Sequence, residues 1–583
     1  MTNGLFQGSN DNSNYITIHT ISTQPTSNVW TEVAVAVNYR YVKYVSPESP
    51  TKGYCNVAEI EFWTPVTTVI STNKNASDLG LTPESKVNVS SGVLLTVNQT
   101  TSINSLTVEQ GGKVTINNGI SFSGSTVTLK SSASGTATLV DSYTSPTVTA
   151  TIQQYLPQGR NWYVATPFES TIAPAQASSL IGGGLASSVS YYDETQNGTV
   201  NAWVNNYTGN MLRGVGYVAV SAAGGGTSNI SLTGKLNSGN VPVTLTRTGT
   251  GSFAGYNLIA NPYPSYVNPM AALNALNVEK TIWYRTKGTI YKFETVNTTT
   301  GVGTNNASTG TVTGYIPPLQ AFWVRTNANG QVLTFTNTMR EHANPTGVTT
   351  TPMKARQQEV NSIARLKING IAGSDEAVLY FNNAASNAFD NYNSRKMFES
   401  EAATTPELFL MAGAEKLTID GLNTVPYESE IPMGFVTKQT GDFSISANEF
   451  SNFESGTRLF IKDNLYPSAE VEITPETAYS FSVSNAAVNT DRFSLLFRAP
   501  GSNTGLNTAE KLNAQVFVNA ANQITIIAPE KCNYAIYNTV GQKVMDGFTS
   551  SNRTTLNTLF ESGMYIINVS ENGKNFISKV IVK

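Results

Sequence analysis

Two histidines, His19 and His342, are the only ones among 583 residues, and they set the first limit on chemistry. A serine or cysteine nucleophile activated by imidazole needs one of them beside it. His19 falls in a stretch that reads as a strand, and His342 in the polar stretch "TMREHANPTGVTTTPMKARQQEVNS" (Thr338 to Ser362), which reads as a linker. A histidine-based catalytic site is therefore not expected. Zinc fares no better: the two histidines and the two cysteines, Cys55 and Cys532, are scattered over four regions with no closely spaced ligand pair. The same distance makes a disulfide improbable.

Carboxylates remain. Glycoside hydrolysis needs only two of them, and Asp193, Glu194, Asp375 and Glu376 are candidates, although sequence alone does not set their separation. The run "GVGYVA" (Gly214 to Ala219) matches G-x-G-x-x-A, but it continues as a strand instead of opening a helix, which a dinucleotide site requires. "NAFDNYNSRK" (Asn387 to Lys396) is rich in oxygen donors and could contribute to a calcium site. It lacks the ligand alternation of an EF-hand loop and reads more simply as an Asx-rich turn. No cofactor is expected. Of the six tryptophans, Trp162, Trp283 and Trp323 sit inside apolar runs and read as core. Trp203, in "NAWVNNYTGN", is flanked by polar residues and is the candidate for an exposed aromatic that contacts a ligand such as a sugar ring.

The elements that must position these residues are strands. Hydrophobic residues make up 40% of the chain but charged residues only 13%, about half the usual share, with Ser, Thr, Asn and Gly in their place. Such a neutral, hydroxyl- and amide-rich composition favours short strands and turns and suits an extracellular protein. A net charge of −3 without any basic run argues against nucleic acid. No apolar run approaches a membrane-spanning length. The N-terminus lacks the basic and apolar regions of a signal peptide, so an exported chain is expected to begin upstream of this one.

The expected class is all-β and multidomain. Residues 1–64 read as a partial β-sandwich. In 65–154, short alternating runs separated by Gly or Asn turns recur about every 20 residues, as in a β-solenoid. An internal duplication follows. "GRNWYVATP" (Gly159 to Pro167) is echoed by "GYNLIANP" (Gly255 to Pro262), Pro174 by Pro269, "VSYYDE" by "TIWYRT" with Tyr192 opposite Tyr284, and "GYVAVS" by "AFWVRT". Each second proline opens a short helix-like run, at its first helical position. Two related β-rich units, 155–250 and 251–345, are expected. A linker at 346–362 leads to a jelly-roll-like sandwich at 363–500, a second linker at 501–512, and a last β-domain at 513–583.

That last domain carries the strongest resemblance. The strand and turn with Tyr537, Asn538, Gly541, Gln542, Lys543 and Val544, then Gly563 and Tyr565, then a closing strand with Lys579 and Val580 resemble the type A C-terminal sorting domain of Bacteroidetes type IX secretion cargo. The resemblance implies an Ig-like fold, recognition by the type IX translocon and its C-terminal signal processing machinery, and a secreted or outer-membrane surface-attached protein. The two glycines read as turn formers. "FQGSNDN", "YRYVKYVSP" and "NVAEIEFW" near the N-terminus resemble the C-terminal half of a discoidin-like (F5/8 type C) domain, a family that often binds sugars or lipid headgroups. The functional expectation is a non-catalytic adhesin or glycan-binding protein with polysaccharide or glycan as partner. The alternative is the C-terminal accessory region of a larger secreted polysaccharide hydrolase or protease.

Overall fold

A computed structural model describes residues 2–24, 26, 29, 39–47, 67–156, 160–169, 189–196, 202–221, 228–287, 291–305, 312–342, 361–399, 405–466, 470–484, 487–501, 512–529, 531–572 and 574–583. The fold is all-β, as expected. It divides into two units, Met1–Val66 and Thr67–Lys583. In the first, strand Leu5–Ser9 lies between Ile16–Thr20, which carries His19, and Tyr41–Val45, both antiparallel to it. "NVAEIEFW", Trp30, Trp63 and Cys55 lie outside the described residues.

The second unit opens with a parallel solenoid. Strands Thr67–Ile70, Lys86–Val89, Thr101–Val108, Phe122–Leu129 and Thr149–Leu156 stack in one sheet. Lys74–Asn75, Leu94–Val97, Lys113–Ile116 and Thr138–Asp141 stack in the other. Alternation sends Val87, Leu106 and Val127 inward from one sheet and Leu95, Val114 and Leu139 from the other, and all six are buried. Gly92 and Gly111 turn successive coils at φ +77° each, a conformation that favours glycine. The sheet is completed by strand Ser228–Lys235, which pairs antiparallel with Thr149–Leu156 and covers an edge the parallel stack leaves open.

The duplication is visible as topology. In the first unit, Arg160–Val164 pairs with Tyr217–Ser221, which pairs with Val189–Tyr192, which pairs with Trp203–Tyr207. In the second, Tyr256–Ala260, Ala321–Arg325, Thr281–Lys287 and Tyr291–Asn297 adjoin in the same order. Each sheet is bracketed by an antiparallel pair, Thr149–Leu156 with Ser228–Lys235 and Val241–Leu245 with Gln331–Phe335. The sheets share a core of Tyr163, Ala165, Leu258, Ala260, Trp283, Ala321 and Trp323. Tyr192 packs against this core while Tyr284 belongs to the core on the other side, so the two tyrosines do not occupy equivalent positions as expected. Trp162 packs instead against the solenoid-side core. At about 25 cal/mol per Å² and 150–250 Å² per ring, each buried aromatic contributes about 4–6 kcal/mol. Helix Met270–Ala275 follows Pro269, which stands at the N-cap position one residue before the helix. The run after Pro174 lies outside the described residues.

Thr338–His342 is not linker. Strand Arg340–Glu341 pairs with Tyr266–Val267, and the Arg340 and Asp141 side chains are both fully buried, 3.0 Å apart. The contact is Coulombic. The guanidinium N–H groups donate to the carbonyls of Leu139 (2.9 Å) and Asp141 (3.2 Å), so Arg340 fastens the solenoid to the second repeat unit. His342 lies between Thr138 and Thr115, its Nδ1 and Nε2 within 2.9 and 2.7 Å of their hydroxyls. Burial, with Lys113 and Arg340 nearby, pushes its pKa down to about 4.

From residue 361 onward, eleven strands among the described residues form one continuous sheet. Phe381 and Phe497 lie on strands four apart in it, about 19 Å if the sheet were flat, yet their ring centroids are 5.4 Å apart. The sheet therefore folds over itself into a sandwich around a phenylalanine-rich core. Bulges at Arg365/Leu366 and Met433/Phe435 help it bend.

Candidate functional site

The C-terminal strands form a second, smaller sandwich. Gln515–Val518, Ile524–Ile527 and Arg553–Thr555 make one sheet. Asn533–Asn538, Lys543–Phe548, Gly563–Glu571 and Lys574–Val582 make the other. Ile526, Ile536, Ile567 and Val582 are buried between them. Cys532 is a free thiol in this core, its pKa raised by burial.

The motif residues divide into a turn and a frame. Asn538 accepts from the backbone N–H of Gly541 (3.0 Å), and its side-chain oxygen accepts from Gln542 N (2.9 Å). Gly541 sits at φ +82° with open space around it, so backbone conformation, not crowding, calls for glycine there. Gly563 is different: it begins a strand, opposite Val582, and is not a turn glycine. Tyr565 is buried and its hydroxyl donates to the Glu561 carbonyl at 3.0 Å, pinning the preceding loop in the manner of a tyrosine corner. Tyr537 is half-buried, and Lys543 and Val544 are exposed on the outer strand. In the terminal strand, Val580 and Val582 point inward while Ile577, Lys579 and Ile581 face out. The last residue is held: Lys583 N donates to Asn522 Oδ1 at 3.0 Å, and Asn522 Nδ2 donates to the Lys583 carbonyl. Towards the large sandwich the domain makes the Gln515–Ser480 hydrogen bond (3.0 Å) and an exposed Arg553–Asp442 ion pair. An exposed pair of this kind contributes at most about 1 kcal/mol.

The candidate carboxylates are dispersed. Asp193 closes an Asx turn on Thr195 and Gln196. Glu194 is buried and accepts from Thr248 N (2.7 Å) and Gly255 N (2.8 Å), which ties the first repeat unit to a loop of the second. Asp375 and Glu376 are successive residues of one strand and point to opposite faces. Asp375 meets Lys396, and Glu376 meets Arg365 at 3.1 Å. Gly214 to Ala219 lead into strand Tyr217–Ser221, and among the described residues no helix follows. Asp390 accepts from Ser386 N and Tyr392 N, both at 2.7 Å, so the oxygen-rich segment is an Asx turn. Among the described residues no three His, Cys, Asp or Glu gather as a metal site requires. Trp203 is only half-buried, yet its ring does not stand alone. It packs edge-on against Tyr192 (5.6 Å) and Trp323 (5.8 Å) in the core the two repeats share.

A cleft of about 350 Å³ opens between the second repeat unit and the large sandwich. Arg247, Lys280, Arg325 and Arg395 bring four cations to it, against the carboxylates of Glu279 and Asp390. Asn327, Asn391, Asn393 and Phe389 complete its wall. Glu279 is 7% exposed; its Oε1 receives Arg325 Nη1 at 2.8 Å and also Arg395 Nη1. Burial raises the Glu279 pKa in spite of both arginines. Arg395 also reaches Glu415 (2.8 Å) and lies over the Phe389 ring at 4.0 Å. Composition gave no sign of this cleft, because its cations come from positions up to 148 residues apart, Arg247 to Arg395.

The class is thus an exported, all-β, multidomain protein: residues 519–583 match the family described as a secretion system C-terminal sorting domain, which marks the chain for export by type IX secretion to the cell surface or beyond. Residues 48–497 match a domain of unknown function, DUF8693, and the chain belongs to that family. Neither match carries the discoidin-like resemblance. No curated protein and no solved structure matches the chain. Among the described residues no helix is long and apolar enough to cross a membrane.

Proposed function

We propose that this chain is a non-catalytic adhesin or glycan-binding protein displayed or released by type IX secretion. The supporting observation is the cleft between the second repeat unit and the large sandwich. It presents guanidinium and amide groups, which suit the hydroxyl and carboxylate oxygens of saccharides, in a chain bearing an export domain. The dispersal of the carboxylate candidates supports a binding role over a hydrolytic one. The type IX translocon and its processing machinery are the partners of the tail. Its outer face offers them exposed Met564, Ile577 and Ile581 beside Lys579. The ligand role is tested by applying the full chain to an immobilised polysaccharide array. Retention on at least one polysaccharide is expected, and silence across neutral and acidic polysaccharides would overturn it.

A further inference from the structure

We propose that the cleft binds a carboxylated sugar, a uronic-acid unit of an acidic polysaccharide. Its carboxylate would lie on Arg247 and Arg395, with ring hydroxyls on the amides of Asn327 and Asn391 in the wall. This rests on the glycan-binding reading above and names the ligand class.

The donors are held ready. Arg247 commits Nη1 to the carbonyls of Ala254 (3.0 Å) and Thr326 (2.9 Å). Arg395 commits Nε to Glu415 and Nη1 to Glu279. Among the described residues the Nη2 groups of both have no hydrogen-bond partner, so each guanidinium is fixed on one side and unused on the other. Side chains already immobilised lose little rotamer freedom on binding, and a planar guanidinium suits a carboxylate better than an ammonium does.

The rest of the wall selects what else the ligand must carry. Asn327 and Asn391 bring amides to it, and Glu279 is buried and held by Arg325 and Arg395. A bare inorganic anion such as sulfate offers the amide oxygens no donor. An amino-acid or peptide terminus offers an ammonium, which faces the positive charges of Arg325 and Arg395. A neutral hydroxyl meets the amides without that repulsion. A ligand with a carboxylate and neighbouring hydroxyls satisfies both sides. The volume, about 350 Å³, is at the small end of ligand clefts and fits a short saccharide segment.

The test is calorimetric titration of the full chain with trigalacturonate, its methyl ester and diglycine. Trigalacturonate is expected to bind, at least tenfold more tightly than the ester and less tightly as salt rises. Arg247→Gln is expected to weaken trigalacturonate at least tenfold in a chain that still folds by circular dichroism, and Glu279→Gln to weaken it as well. Equal affinity for acid and ester would overturn the carboxylate assignment, and this comparison needs no variant. Unchanged binding in folded Arg247→Gln would overturn the location. Diglycine binding with no trigalacturonate binding would overturn the sugar. If other polysaccharides bind on the array and trigalacturonate does not, this inference fails and the glycan-binding reading stands; if none binds, both fail.

Discussion

Replacing Arg340 with methionine should destabilise the joint between the solenoid and the second repeat unit by about 3–5 kcal/mol, the usual cost of leaving one member of a buried ion pair behind. Both side chains are fully buried, so Asp141 would keep its charge with nothing opposite it. The carbonyls of Leu139 and Asp141 would also lose their donors, at about 1 kcal/mol each. Changing Asp141 to asparagine in the same chain removes the stranded charge, so the double variant should recover about 2–3 kcal/mol relative to the sum of the singles. A chain of several modules does not unfold in one step. Amide hydrogen exchange in strands Lys113–Ile116 and Thr138–Asp141 is therefore the assay, since it reads opening locally. If the two substitutions add to within about 0.5 kcal/mol, the pair does not hold the joint and the reasoning is refuted.

His342 stays neutral down to about 4 when folded, against 6.5 in the open chain, so the open chain takes up the proton first. Stability should fall by about 3 kcal/mol as pH drops from 6.5 to 4, and His342→Asn should flatten that part of a melting-temperature profile. Asp420 has the opposite sign: burial raises its carboxyl from 3.8 to about 7, so stability is lost as pH rises through that window, by on the order of 4 kcal/mol. Asp420→Asn should narrow the difference between melts at pH 5 and pH 8. Gly541→Ala should cost the sorting domain about 1–2 kcal/mol through its left-handed backbone alone, with Gly541→Asn milder, both read by thermal melting. Deleting residues 513–583 should hold the protein in the periplasm, and surface display of the truncated chain in fractionation would contradict the export reading.

Periodicity and turn residues made the solenoid legible, because each coil repeats the same inward pattern from Val87 to Leu106 to Val127. The duplication was legible through Gly159 and Gly255 and their prolines, and the sorting domain through motif elements that occur in order. What escaped was anything fixed by distant partners. Arg340 and His342 sit in a polar, proline-dotted stretch that looks solvated, but their partners lie about 200 residues earlier, at Asp141, Thr138 and Thr115. Trp203 looked exposed because polar residues surround it along the chain, but its ring packs against Trp323, which comes from a strand of the other repeat. The cleft was invisible for the same reason, since Arg247, Glu279 and Arg395 belong to different elements that meet only in the folded chain.

The joint between the two repeat sheets is reciprocal. A bridge from Val164 to Gln320 is answered by one from Val215 to Ile259, so Arg160–Val164 touches the segment leading into Ala321–Arg325, and Tyr256–Ala260 the segment leading into Tyr217–Ser221. A contact of that kind, the same patch used twice, is what a two-fold homodimer makes. The tandem arrangement is thus the single-chain form of a symmetric dimer, and one copy produced alone, its aromatic face uncovered, should pair with a second molecule of itself.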